Sequence, residues 1–155
     1  MWKKVRIYAI SAAIALAVGG ISSFITMDGM EKYKYLRQPP LSPPDWVFIG
    51  AWVVLYILMG IGAARVYISG DPSAGKSLVL YGLQLMVNFF WPILFFLLEA
   101  RLFAFLWLLI LLGLVIWMKI YFDRADKIAG QLQTPYIAWL LFAGYLNLGA
   151  YLLNG

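Results

Sequence analysis

An all-α integral membrane protein, folded as a bundle of five transmembrane helices, is the architecture this sequence predicts. Three observations carry it. Hydrophobic residues make up 64% of the 155 and charged ones 12%, with a mean hydropathy of +0.84, more apolar surface than a water-soluble domain can hide. The charges collect between runs of about 20 apolar residues, the length that crosses a bilayer as a helix. Turn-forming Pro, Gly and Asp punctuate the junctions between those runs.

The first span is expected at 7–27. It follows the basic stretch Met1 to Arg6, as the apolar part of a signal peptide does, but it is a full span long and lacks a clear small-residue cleavage site. A retained helix is therefore expected. Ala13 and Ala17, Ala15 and Gly19, and Gly19 and Ser23 stand four apart, giving a face that another helix can approach closely. The loop 28–45 begins with DGMEKYKYL, amphipathic enough for a short interfacial helix carrying Tyr33 and Tyr35. It then holds Pro39, Pro40, Pro43 and Pro44, four of the seven prolines, and ring-restricted residues of this density make a stiff lid. Ser42 is expected to cap the next helix, with Pro43 and Pro44 behind it and Asp45 at the third position, a capping box with Asp in place of Glu.

The second span, 46–64, places Trp52 and Tyr56 on one face at i, i+4 spacing, and Arg65 closes it. Gly70, Asp71, Pro72 and Gly75 supply the turn into the third span, 77–98. There Gln84, Asn88, Trp91 and Phe95 share a face, and Pro92 removes an amide from the ladder, which predicts a bend. Glu99, Ala100 and Arg101 turn tightly into the fourth span, 102–118, where Phe103, Trp107, Leu114 and Trp117 recur at helical spacing. The most charged connection, Lys119 to Gln133, precedes Thr134 and Pro135, a second cap-then-proline start. The fifth span, 134–153, aligns Tyr136, Trp139, Ala143 and Asn147 on one face. The whole of 1–155 reads as one membrane domain without internal repeats.

Lys3, Lys4, Arg6, Arg65, Lys76, Lys119, Arg124 and Lys127 lie on one side of these spans, against Lys32, Lys34, Arg37 and Arg101 on the other. The positive-inside rule then puts the amino terminus in the cytoplasm and the proline loop outside. The net charge of +5 sits at the ends of spans, where lipid head groups account for it, so membrane lipid is an expected partner and nucleic acid is not. With no Cys and no His, the chain offers no thiol nucleophile, disulfide, imidazole base, common zinc site or usual haem axial ligand. No metal and no tightly bound cofactor are expected.

The acidic residues all fall in loops or at helix ends, which argues against proton-coupled transport and ion conduction. Asn88 and Asn147 stand about 11 and 12 residues into their helices, near the midplane at roughly 1.5 Å per residue. Both should point inward, to each other, to backbone opened by Pro92, or to a ligand, and interhelical hydrogen bonding is the plain alternative. Trp2, Trp46 and Trp117 suit interfacial anchoring, whereas Trp52, Trp91, Trp107 and Trp139 lie deeper. Flat aromatic walls, few polar groups and a stiff lid describe a pocket for a large, planar, mostly apolar molecule, with core packing as the competing explanation.

Three separated motifs, PPLSPPDWVFIGAWVVLY at 39–56, NFFWPILFF at 88–96 and PYIAWLLFAGYLN at 135–147, resemble the TspO/MBR family of tryptophan-rich sensory proteins, whose mitochondrial relatives are the translocator proteins or peripheral benzodiazepine receptors. The resemblance covers nearly the whole chain and is to a bacterial member of the family. It implies a five-helix bundle, often a homodimer, that binds porphyrins such as protoporphyrin IX, and benzodiazepine and isoquinoline-carboxamide ligands, in a pocket under the first loop. Carried over by motif, Trp52, Asn88, Trp91, Trp139 and Ala143 correspond to pocket positions, with Tyr33 and Pro44 in the lid. Tyr56, Gln84, Phe90, Trp107 and Asn147 complete the candidate ligand-binding set. Some bacterial members are proposed to degrade protoporphyrin in light, which makes Trp52 and Trp139 candidate catalytic residues and porphyrin a ligand or a substrate. The last segment, AYLLNG, lacks the basic residue of the cholesterol-recognition pattern, and the third span has only Gly82 as a very small residue, so neither sterol transport nor a tight dimer contact on that span is expected.

The expected function is thus a porphyrin-binding sensor in a bacterial cell membrane, with light-dependent porphyrin breakdown as its candidate activity. A transporter of porphyrin or another apolar molecule, and a structural or partner-binding membrane subunit, are the alternatives.

Overall fold

The computed structural model describes all residues, 1–155, and contains no strand. Five helices are long and apolar enough to cross a membrane, Trp2–Ile25, Asp45–Ser69, Ala74–Leu97, Arg101–Ala125 and Lys127–Asn154. The chain is a multi-pass integral membrane protein of the all-α class. In order, α1 is Trp2–Ile25, α2 Met27–Tyr33, α3 Asp45–Ser69, α4 Ala74–Pro92 continued by a π-helical turn at Ile93–Leu97, α5 Arg101–Ala125, α6 Lys127–Gln131 and α7 Thr134–Asn154.

On α1, Ala15, Gly19 and Ser22 are buried, while Ala13, Ala17 and Ser23 are exposed, so one of the three small-residue rows makes the contact. Its partner is α3. A Cβ on Gly60 would stand 2.6 Å from Ala12 Cα, and Ser11 Oγ donates to the Gly60 carbonyl at 2.6 Å. Only a residue without a side chain lets the two backbones come this close. Helices α4 and α7 pack on α5, and α3 also meets α4.

The start of α3 differs from the expected capping box. The helix begins at Asp45, with Pro44 in extended conformation as its N-cap and the Pro44 carbonyl accepting from Val47 and Phe48 at 3.0 and 3.1 Å. Ser42 Oγ instead donates to the Pro39 carbonyl at 2.7 Å. Ser42 and Pro43 each precede a proline, which holds both residues extended and delays the helix until after Pro44. Asp45 still places a carboxylate at the positive end of the helix.

A similar shift occurs at α7, where Gln133 occupies the N-cap position and Thr134 is already helical. Leu132 and Gln133 continue the turn from α6 by bonding to the carbonyls of Ile128 and Gly130, so no extended residue is available for a hydroxyl cap. At the end of α4, Pro92 produces a change of winding. Ile93 N–H reaches back to the Phe90 carbonyl, which frees the Phe89 carbonyl to accept from Ser22 Oγ of α1 at 2.8 Å. The carbonyl that Ile93 leaves free thereby ties α4 to α1.

Candidate ligand-binding site

The predicted inward face of α4 is buried along its length, through Gln84, Asn88, Trp91 and Phe95. Asn88 is the centre of a polar chain inside the membrane. Tyr56 hydroxyl donates to Asn88 Oδ1 at 2.8 Å, Asn88 Nδ2 donates to the Tyr136 hydroxyl at 2.5 Å, and that hydroxyl donates to Gln84 Oε1 at 2.7 Å. The chain ties α3, α4 and α7 together.

Asn147 does not meet Asn88. Its Oδ1 accepts from Trp91 Nε1 at 3.0 Å and its Nδ2 donates to the Arg101 carbonyl at 2.8 Å, which sets it level with the first residue of α5, at the end of the bundle near the lid. The midplane expectation fails because α7 is displaced along its axis. α6 supplies the first part of that span, and Gln133 at the start of α7 reaches the Leu58 carbonyl, well inside α3.

Two cavities lie above the polar chain. The first, about 210 Å³, sits under α2 and is walled by Phe48, Trp91, Phe95, Phe96, Ala143 and Asn147, with Tyr33 in its roof. Its mouth carries Glu31, Lys34 and Asp45, where Lys34 Nζ bonds Asp45 at 2.9 Å and Glu31 at 3.1 Å. These bonds raise the Lys34 ammonium above its ordinary pKa, with the Asp45 bond the larger cause. Tyr33 lies on the rings of Phe95 and Phe96 at 5.3 and 5.4 Å, and burial raises its phenol while the Arg101 charge pulls the other way. The second cavity, about 250 Å³, lies between α1, α3 and α4 and is lined by Gly19, Ser22, Trp52, Tyr56, Asn88 and Pro92. Phe48, Trp91 and Phe96 belong to both.

Trp139 faces neither cavity. It lines an apolar groove between α3 and α7, with Trp46, Ala51, Val54 and Phe142, and meets Trp52 edge to face at 6.4 Å and Phe48 at 6.0 Å. Its Nε1 is buried and has no acceptor in the protein.

The predicted site residues therefore divide. Tyr33, Trp91, Ala143 and Asn147 border the first cavity, and Trp52, Tyr56, Asn88 and Trp91 the second. Gln84 is sealed in the polar chain, Trp107 donates to the Val87 carbonyl at 2.7 Å on the α5 side, Phe90 is exposed against Phe89, and Pro44 stands exposed at the helix start while Pro43 faces the first cavity. Sequence reasoning missed Phe48 and Phe96. Phe48 carried a signal, because it precedes Trp52 by four and Tyr56 by eight on one helix face. Phe96 carried none, because its inward position depends on the π turn. No group of three or more acidic, His or Cys side chains is placed to hold a metal ion.

The TspO/MBR family model matches residues 11–152. The chain is 32% identical to the tryptophan-rich protein TspO of Chlorobaculum tepidum, over 99% of each chain. It is 36% identical to the protein CrtK of Rhodobacter capsulatus, over 96% of this chain and 91% of that one. It is 30% identical to the translocator protein of Homo sapiens, over 94% and 87% of the two chains.

Proposed function

The chain belongs to the TspO/MBR family, and from that premise we propose that it is a membrane receptor for a planar, mostly apolar molecule of the porphyrin class. The observation that carries this reading is the aromatic junction of Phe48, Trp52 and Trp139, set between two cavities and a groove, with a buried indole N–H that lacks an acceptor. A flat macrocycle stacks on indole and phenyl faces, and a carbonyl or carboxyl on its edge supplies the missing acceptor. Benzodiazepine and isoquinoline-carboxamide ligands, flat and carbonyl-bearing, suit the same features. The lid over the first cavity is α2, held by ring contacts of Tyr33 and by the exposed Lys34–Asp45 pair, which costs little to open.

Light-dependent breakdown of bound porphyrin is the activity we assign to this site. The excited macrocycle and oxygen supply the oxidising power, and the protein binds and orients through Trp52 and Trp139. Absorbance of protoporphyrin IX with purified protein, in the dark and under illumination, tests both steps. Saturable dark binding, then light-driven loss of the porphyrin bands with a new product that Trp52→Phe and Trp139→Phe abolish, is the expected result. Binding with only the bleaching of free porphyrin leaves a receptor, and absence of binding removes the porphyrin reading.

The groove between α3 and α7 favours a second reading, a carrier that takes an apolar molecule from the bilayer. It requires vectorial porphyrin uptake into proteoliposomes.

A further inference from the structure

We infer that Phe48 is a movable partition that divides the binding space in two and sets the size of the molecule admitted, an inference that rests on the receptor reading above. The cavities of about 210 and 250 Å³ each fall below the roughly 300 to 1,000 Å³ typical of sites for drug-sized ligands. Neither alone holds a tetrapyrrole. They share five wall residues, Met30, Phe48, Ile49, Trp91 and Phe96, so joining them means moving one of these.

Four of the five are poor candidates. Trp91 is fixed by its Nε1 bond to Asn147 and stacks on Phe95 at 5.2 Å with an interplanar angle of 12°. Phe96 is held by Phe95 at 4.9 Å and by Tyr33 at 5.4 Å, and its backbone lies under Gly29. Ile49 is 54% exposed and stands at the rim, and Met30 is carried by the lid helix α2. Phe48 is different. It has no polar anchor, is half-buried, and touches Trp52, Phe96 and Trp139 through tilted or edge contacts at 6.0–6.4 Å. Its ring borders both cavities, so a rotation about its side-chain bonds into either one opens the wall without moving a helix.

The consequence is size selection by one side chain. A two-ring molecule enters a single cavity with Phe48 in place, whereas a macrocycle waits for the ring to turn. The partition thus acts on the entry rate of large ligands and leaves small ones alone.

The test uses the full chain in detergent micelles with two probes, isoquinoline and protoporphyrin IX, followed by stopped-flow quenching of tryptophan fluorescence in the wild type, Phe48→Ala, Phe48→Leu and Phe48→Trp. Phe48→Ala is expected to speed protoporphyrin association about tenfold while leaving isoquinoline within twofold, with Phe48→Leu intermediate and Phe48→Trp slower than wild type. Phe48→Leu keeps most of the packing and decides the matter if the alanine variant fails to fold. Protoporphyrin rates within twofold of wild type in all folded variants overturn the partition and leave the receptor reading standing. Binding of neither probe to any variant overturns both. Protoporphyrin binding to Phe48→Ala but not to the wild type upholds the partition and overturns the porphyrin reading for the native protein.

Discussion

Trp52 and Trp139 meet edge to face, with ring centroids 6.4 Å apart and planes at 86°. The two rings touch each other, so a macrocycle lies between them only after the pair has separated. Their surroundings differ. Trp52 also packs on Tyr56 and Tyr136 at 5.7 and 6.3 Å, against the polar chain of the core, while Trp139 borders the open groove and keeps an unpaired N–H. Substitutions at the two positions therefore have different costs.

Trp139→Phe keeps an aromatic ring and removes the buried donor that lacks an acceptor. Protoporphyrin IX affinity is expected to fall about fivefold, the worth of one hydrogen bond at about 1 kcal/mol. Thermal stability in detergent stays near wild type, because the deleted group was unsatisfied. A titration and a melting curve on the same preparation check both. A stability loss above about 2 kcal/mol with unchanged affinity means that the indole serves the fold.

Asn88→Ala strips both partners from the polar chain and leaves the hydroxyls of Tyr56 and Tyr136 short of a bond. The expected loss is about 1–3 kcal/mol, since interhelical bonds within a membrane average below their apparent strength. Tyr56→Phe, which spares the Asn88–Tyr136 bond, costs less. Unfolding in mixed micelles with increasing sodium dodecyl sulfate gives the order, and equal losses for the two variants count against a chain centred on Asn88.

Gly60→Ala forces a methyl group against the Ala12 backbone and presses on the Ser11 bond to the Gly60 carbonyl. Overpacking of this kind costs about 1–3 kcal/mol. Gly50→Ala, on the same helix with open space around the new methyl, is the control and leaves the melting temperature unchanged. If the two variants melt together, α1 and α3 adjust freely and the close contact is not a constraint.

Asp126 accepts two bonds from Arg65, at 2.9 and 3.1 Å, and caps α6 by accepting from Ala129 N–H at 2.8 Å. The Arg65 bond, ahead of the backbone N–H groups, holds its carboxyl below the ordinary value. A lowered folded pKa contributes stability that is complete above the unfolded value, about 4, and is lost as pH falls through the folded one. Acid unfolding of the wild type should therefore include an Asp126 component below about pH 4 that Asp126→Asn removes, although the amide keeps an oxygen for the α6 cap. Melting temperatures across the acid range measure it, and identical acid limbs in the two proteins discard the pair as a source of stability.

Much of this protein was legible in its sequence. Five charge-free runs had to become five spans, because a bilayer leaves each backbone amide no partner except its own helix. The buried face of Gln84, Asn88, Trp91 and Phe95 followed from helical period alone, and a close helix contact on α1 from residue size, whereas the choice of the Ala15–Gly19 row and of α3 as its partner did not. The caps at Ser42 and Thr134 did not hold, since a motif of residue types does not register that the consecutive prolines Pro43 and Pro44 delay α3 to Asp45 or that α6 runs almost into α7. The tertiary structure decided how far each helix slides along its axis. That offset puts Tyr136 beside Asn88, lifts Asn147 to the level of Arg101, turns Trp139 toward a groove and places Phe48 between two cavities. Periodicity fixes the angle of a side chain about its helix, but its height relative to a neighbour depends on loops, a π turn and close packing between segments distant in the chain.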